Sequence, residues 1–145
     1  MKKFLPILLL AFLSGYALLL SGCDNEEKTE YLNYDEYPLP ERAQLEGEDE
    51  QPIIINDIEE FQRIFSAYPE LEAINFETHT LLVIKGTAHY GIGKIKKEIT
   101  RVANKKTRFK ITVLLTLQTV MDPWCIAYIL PKSNANDITL SVSYE

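Results

Sequence analysis

Residues 107–119 constrain the fold more than any other stretch, because their apolar and polar side chains alternate almost without a break. Phe109, Ile111, Val113, Leu115 and Leu117 point one way. Arg108, Lys110, Thr112, Thr116 and Gln118 point the other, with Leu114 the single exception. A period of two with one greasy and one wet face is the pattern of a strand lying at the surface of a sheet. Three more runs read as strands. Leu81-Leu82-Val83-Ile84 is apolar on both faces, so it belongs in the middle of a sheet. Trp124 to Leu130 is a second buried run, with Cys125, Ala127 and Ile129 on one face and Trp124, Ile126 and Tyr128 on the other. Ile138, Leu140, Val142 and Tyr144 alternate with Thr139, Ser141 and Ser143 near the end, after a polar turn at 132–137. Ile53-Ile54-Ile55 adds a short β-branched strand.

One helix is expected. Asn56 and Asp57 are followed three residues later by Glu59 and Glu60, and either pair suits a helix start, where a side-chain oxygen satisfies a free amide. Ile58, Phe61, Ile64, Phe65 and Tyr68 then share a helical face, and Pro69 ends the run after about three turns. Segment 92–103 has two readings. Ile92, Ile95, Ile99 and Val102 have helical spacing, yet Asn104-Lys105-Lys106 forms a hairpin turn into the strong strand behind it. The turn favours a strand, with a bulge near Lys96-Lys97 to reconcile the spacing. The expected class is α+β: one mostly antiparallel, meander-like sheet of five to six strands, with one amphipathic helix packed on it.

The N-terminus carries an address. Lys2 and Lys3 precede an uncharged apolar run from Phe4 to Leu20, and Leu20-Ser21-Gly22-Cys23 closes it. A positive start, an apolar core and small residues before a cut make a secretory signal. A single transmembrane helix is one competing reading, since the run reaches the minimum of about 17 residues, and an ordinary secretory cleavage is another. The closing tetrapeptide resembles the lipobox of bacterial lipoproteins. That resemblance implies removal of residues 1–22 and lipidation of Cys23, with enough acyl chains for stable anchoring. Asp24 after the cysteine resembles an inner-membrane retention signal. Asp24-Asn25-Glu26-Glu27-Lys28 also resembles the acidic export tags of surface lipoproteins in Bacteroidota, which favours the outer membrane.

Charge divides the mature chain. Residues 24–52 hold eleven acids against Lys28 and Arg42, a net of −9, whereas residues 53–145 are close to neutral at +1. The acidic segment has few aliphatic residues and contains Pro38, Pro40, Gly47 and Pro52. Such a composition does not bury enough apolar area to offset its ordering entropy. Residues 23–52 are therefore expected as a lipidated, disordered tether, and residues 53–145 as a single domain of a size that supports a core. Tyr31, Tyr34 and Tyr37 recur every third residue in the tether; they are incidental, or they dock on the domain or on a partner.

Catalytic constellations are not found. With Cys23 lipidated, Cys125 is the one remaining thiol, so no intrachain disulfide is expected. A nucleophile at Cys125 needs His79 or His89 as its base. Its apolar neighbours on both faces point instead to an inert, buried thiol. Neither histidine has metal-ligand spacing, so no metal or cofactor is expected. Asp122, before Pro123, is a lone acid better suited to a turn. The loop Gly86-Thr87-Ala88-His89-Tyr90-Gly91-Ile92-Gly93 lacks the Gly-Lys-Ser/Thr ending of a phosphate cradle. It remains a candidate contact loop. Lys94, Lys96, Lys97, Arg101, Lys105, Lys106, Arg108 and Lys110 fall in one hairpin. They form a solvated edge, or an anion site centred on Lys96, Lys97, Lys105 and Lys106 for a glycan, lipid headgroups or the chain's own acidic tether. Nucleic acid is not an expected partner for an exported chain.

Residues 80–144 resemble the domain at the C-terminus of the PrcB protease-complex subunit, also found in uncharacterised Bacteroidota lipoproteins. The resemblance is carried by Leu82-Val83-Ile84-Lys85-Gly86, by Tyr90-Gly91-Ile92, and by the run from Pro123 to Pro131-Lys132. That family commonly has Gly-Gly-Tyr in the loop, where this chain has His89-Tyr90-Gly91. The resemblance implies an accessory role beside an exported partner, a protease among the candidates. The expected function is a membrane-tethered, non-catalytic binding module of the cell envelope, with Thr87, His89, Tyr90 and Trp124 as candidate contacts. The alternatives are anion binding through the basic hairpin and a Cys125-dependent enzyme.

Overall fold

The strand expected at the centre of a sheet lies there, and it is covered on both faces. The computed structural model describes residues 29–40, 42–102 and 106–145. Strands β1 (Glu30–Tyr31), β2 (Asp35–Glu36) and β3 (Ile53–Ile55) precede helix α1 (Ile58–Ile64). Strands β4 (His79–Ala88), β5 (Ile92–Val102), β6 (Lys106–Leu115), β7 (Asp122–Pro131) and β8 (Ile138–Tyr144) follow. They form two four-stranded sheets. The inner sheet has the order β2-β7-β4-β3, and the outer sheet has the order β1-β5-β6-β8.

The class is α+β and mostly antiparallel, as expected, with more strands than expected and two sheets in place of one. The path of the chain makes the split. After β4 the chain crosses to the outer sheet for the β5–β6 hairpin, returns to the inner sheet for β7, and crosses again for β8. That route lays β8 parallel to β6, so the outer sheet is not a meander. Segment 92–102 is a strand paired with β6, and its register shift falls between Ile92 and Lys94 rather than near Lys96.

Side-chain alternation in β4 and β7 divides the core. Leu82, Ile84, Trp124, Ile126, Tyr128 and Leu130 face the outer sheet, where they meet Ile99, Phe109, Ile111 and Val113. Leu81, Val83 and Ala127 face the other way, onto Phe61, Ile64 and Phe65 of the helical segment. Ten successive residue pairs between β4 and β7 satisfy the backbone that runs between these two greasy layers. The helix is shorter than expected, at 7 residues. Asp57 is its N-cap and accepts a hydrogen bond from the Glu60 amide at 2.8 Å.

Residues 29–52 depart from the expected tether. Glu30 and Tyr31 pair with Arg101 and Thr100 of β5, and Asp35 and Glu36 pair with Ile129 and Tyr128 of β7. The segment thereby stitches one edge of the outer sheet to one edge of the inner sheet. Tyr37, Ala43 and Leu45 are buried against the helix layer. Tyr37 packs edge-on to Phe61 and donates a 2.6 Å hydrogen bond to the Glu72 carbonyl. Tyr34 stacks on Phe109, while Tyr31 is 73% exposed. The composition is acidic, but few apolar side chains suffice when the domain supplies partners and free strand edges. Residues 1–28, with the signal-like run and Cys23, lie outside the described residues.

This docking has a measurable consequence. Tyr37→Ala should lower unfolding stability by about 3 kcal/mol, the range for losing a buried aromatic ring. Tyr37→Phe should cost only about 1 kcal/mol for the lost hydrogen bond. Urea midpoints check both, and unchanged midpoints would show that the segment does not pack.

Candidate functional site

Two loops that pass between the sheets form one end of the molecule. Residues 89–91 carry the chain from β4 to β5, and residues 116–121 carry it from β6 to β7. They brace each other: the Gly91 amide donates to the Gln118 carbonyl at 2.8 Å, and the Thr116 amide donates to the Gly91 carbonyl at 2.7 Å. A side chain on Gly91 would put its first carbon 2.6 Å from Thr116 Oγ1, so the close approach requires glycine. Asp122 adds a third tie, accepting a hydrogen bond from the Ile92 amide at 3.0 Å. Its carboxylate also lies 3.5 Å from Arg42, so this acid is a brace between loops.

On this framework sit four large apolar side chains facing solvent. Tyr90 is 46% exposed, Val120 47%, Met121 59% and Leu117 fully exposed. His89 Nδ1 lies 3.2 Å from Met121 Sδ. Leu117 corrects the sequence reading, which placed it on the inward face of a strand running to Thr119. The β6 ladder ends at Leu115, where the chain turns away to the inner sheet, so the alternation continues in sequence without a core to face. Val120 and Met121 were not singled out from sequence, because an apolar pair in a loop carries no period.

The other candidate contacts fall elsewhere. Thr87 lies within β4 and donates to Asp49 Oδ2 at 2.9 Å. Trp124 is a core residue, 4% exposed, and its position corrects the expectation of an aromatic contact edge. Its indole lies over Gly86, the residue opposite it across the β4–β7 ladder, and a Cβ on Gly86 would sit 2.7 Å from the ring. The indole Nε1 donates to the Tyr144 hydroxyl at 3.3 Å. Gly86→Ala should therefore displace the ring and cost about 1–3 kcal/mol, the range for overfilling a packed core. A melting midpoint equal to that of the natural chain would contradict this account.

The three described lysines of the candidate anion site, Lys96, Lys97 and Lys106, do not form one patch. Lys96 is exposed on the outer face of the outer sheet, opposite Thr112. Lys97 lies on the opposite face and donates to Glu36 of the β2 segment at 2.6 Å. Arg101 likewise sits 3.6 Å from Glu30. Lys106 is exposed at the hairpin tip, about six residues and roughly 20 Å along the strand from Lys96. Lys105 lies outside the described residues. Among the anions weighed for these bases, the structure supplies the chain's own acids for Lys97 and Arg101. Beside that contact, a groove of about 480 Å³ is lined by Leu32, Tyr34, Glu36, Lys97 and Tyr128. The Tyr128 hydroxyl is buried and has no hydrogen-bond partner among the described residues.

Cys125 pairs across the ladder with Lys85, in the middle of β4. Burial pushes its thiol up to about 12, against a weaker opposing pull from Lys85. A thiol held protonated is a poor nucleophile at neutral pH. Burial likewise raises Tyr144 to about 12, with Glu50 adding to the effect, and raises Tyr37 and Tyr128 above their ordinary value. In the unfolded chain these groups lose protons near 9 and 10. Between about pH 9 and 12 the unfolded state thus binds fewer protons than the folded one, and stability falls as pH rises. The contribution is complete below pH 9. Denaturant midpoints at pH 8, 9.5 and 11 should fall in that order, and a level or rising series would contradict the buried placements.

No group of three or more His, Cys, Asp or Glu among the described residues is arranged to hold a metal ion. Among those residues, no helix is long and apolar enough to cross a membrane. No protein-family model, curated protein or solved structure matches the chain.

Proposed function

We propose that this chain is a lipid-anchored module of the cell envelope that binds an exported protein through the loop end formed by residues 89–91 and 116–121. The observation that carries this reading is the exposure of Tyr90, Leu117, Val120 and Met121 together on two mutually braced loops. Leaving such side chains in water forgoes burial free energy, and grouped exposure of this kind is a mark of interaction surfaces. The bracing keeps the loops ordered before contact, which lowers the entropy lost on binding. The lipobox-like tetrapeptide supports the anchored location, and the resemblance to a protease-complex accessory domain supports a protein partner, an exported protease among the candidates. The raised thiol of Cys125 supports a binding role over a cysteine-dependent reaction.

A photo-crosslinking amino acid placed at Leu117 tests the surface in intact cells. One envelope protein should be captured reproducibly from that position and not from Lys110 on the outer sheet face. Capture through a probe at Tyr90 should drop at least tenfold when Leu117→Asp and Met121→Asp are combined, with the melting midpoint unchanged. Equal capture from Lys110, or none from Leu117, would contradict the assignment.

A further inference from the structure

The way β1 is seated sets the direction from which the chain enters the domain. Glu30 and Tyr31 run antiparallel to β5, opposite Arg101 and Thr100. Followed backwards from Glu30, the chain therefore leaves the domain toward the tip of the β5–β6 hairpin. Six residues, Asp24 to Thr29, separate Glu30 from Cys23. Fully extended, the steps from Cys23 to Glu30 reach about 25 Å at most. A 30-residue free tether would let the domain roam and tumble, whereas this one is used up within its first few residues.

We infer that the hairpin-tip end of the sandwich is held against the surface of the lipid bilayer, and that the loop end with Leu117 is presented away from it. The inference rests on the proposed lipidation of Cys23. The side chains at the membrane-proximal end suit a headgroup layer. Tyr31 is exposed there, and an aromatic ring with a polar tip favours the boundary between lipid and water. Lys106 and Arg108 are exposed beside it. Asp24, Glu26 and Glu27 oppose attraction to anionic lipid, so reach sets the contact rather than charge. The eleven residues of β5 span roughly 35 Å from this end to the crossover loops. Leu117 and Tyr90 thus stand clear of the headgroups, where a partner of protein size has access.

The test uses the full lipidated chain in phosphatidylethanolamine–phosphatidylglycerol vesicles that contain an acceptor dye on a lipid headgroup. A donor dye is attached through Lys106→Cys in one sample and through Leu117→Cys in another, each in a Cys125→Ala background. If that background does not fold, the buried natural thiol is kept and labelling is done on the native chain. Energy transfer from position 106 should exceed that from position 117 several-fold. Inserting twenty Gly/Ser residues between Lys28 and Thr29, a flexible span of about 25 Å, should narrow the difference. Equal transfer from the two positions would overturn the inference, and so would a difference that the insertion leaves unchanged. The mass of the N-terminal peptide separates the two layers of the account. Acylated Cys23 with equal transfer leaves the anchor standing and removes the orientation; unmodified Cys23 removes both.

Discussion

The structure depends on a backbone ladder that is greasy on both sides. The β4–β7 pairing carries Leu82, Ile84, Ile126 and Leu130 on one face and Leu81, Val83 and Ala127 on the other. A sheet with two apolar faces needs two covers. The outer sheet supplies one, and its own far face is wet because no element among the described residues packs beyond it. The seven-residue helix supplies only part of the other. Tyr37, Ala43 and Leu45 complete that second cover, which explains why an acidic, proline-containing segment is laid down on the domain instead of trailing from it.

The same segment solves an edge problem. Open strands at the side of a two-sheet sandwich expose unpaired amides and carbonyls. β1 caps the edge of β5 and β2 caps the edge of β7, so one short stretch of chain closes both sheets on the same side. Glu30 with Arg101 and Glu36 with Lys97 add charge pairs across these contacts. Exposed pairs of this kind contribute at most about 1 kcal/mol each, so their main effect is on register. The acidity of the segment and the basicity of the hairpin therefore answer one another within one molecule.

Much of this was legible in the residues, and the failures have physical causes. Strand alternation identified Phe109, Ile111 and Val113 as inward, and it placed Cys125 and Trp124 on opposite faces of β7. It could not show that the ladder stops at Leu115, since periodicity records what a side chain would face and not whether a partner exists. The links 89–91 and 116–121 are short enough for hairpin turns, so nothing in their length announced a passage between two sheets. Trp124 reads from sequence as part of an aromatic contact edge, yet Gly86 opposite it is the local sign of a ring lying flat on backbone. The arm was hidden by its average composition. Its signal was the three-residue spacing of Tyr34 and Tyr37, both of which pack, and composition averaged over thirty residues diluted it.

The central claim is that residues 30–40 and 42–45 are an integral part of the folded body, and the proposed short anchor and outward loop end both rest on that packing. Amide hydrogen exchange on the native chain tests it most directly. The Leu32 amide donates to the Ile99 carbonyl and the Tyr37 amide to the Ala127 carbonyl, both at 2.9 Å. Both should exchange orders of magnitude more slowly than an unstructured peptide, close to the rates in the neighbouring strands β5 and β7. Exchange of these two amides at free-peptide rates, with β5 and β7 still protected, would contradict the account.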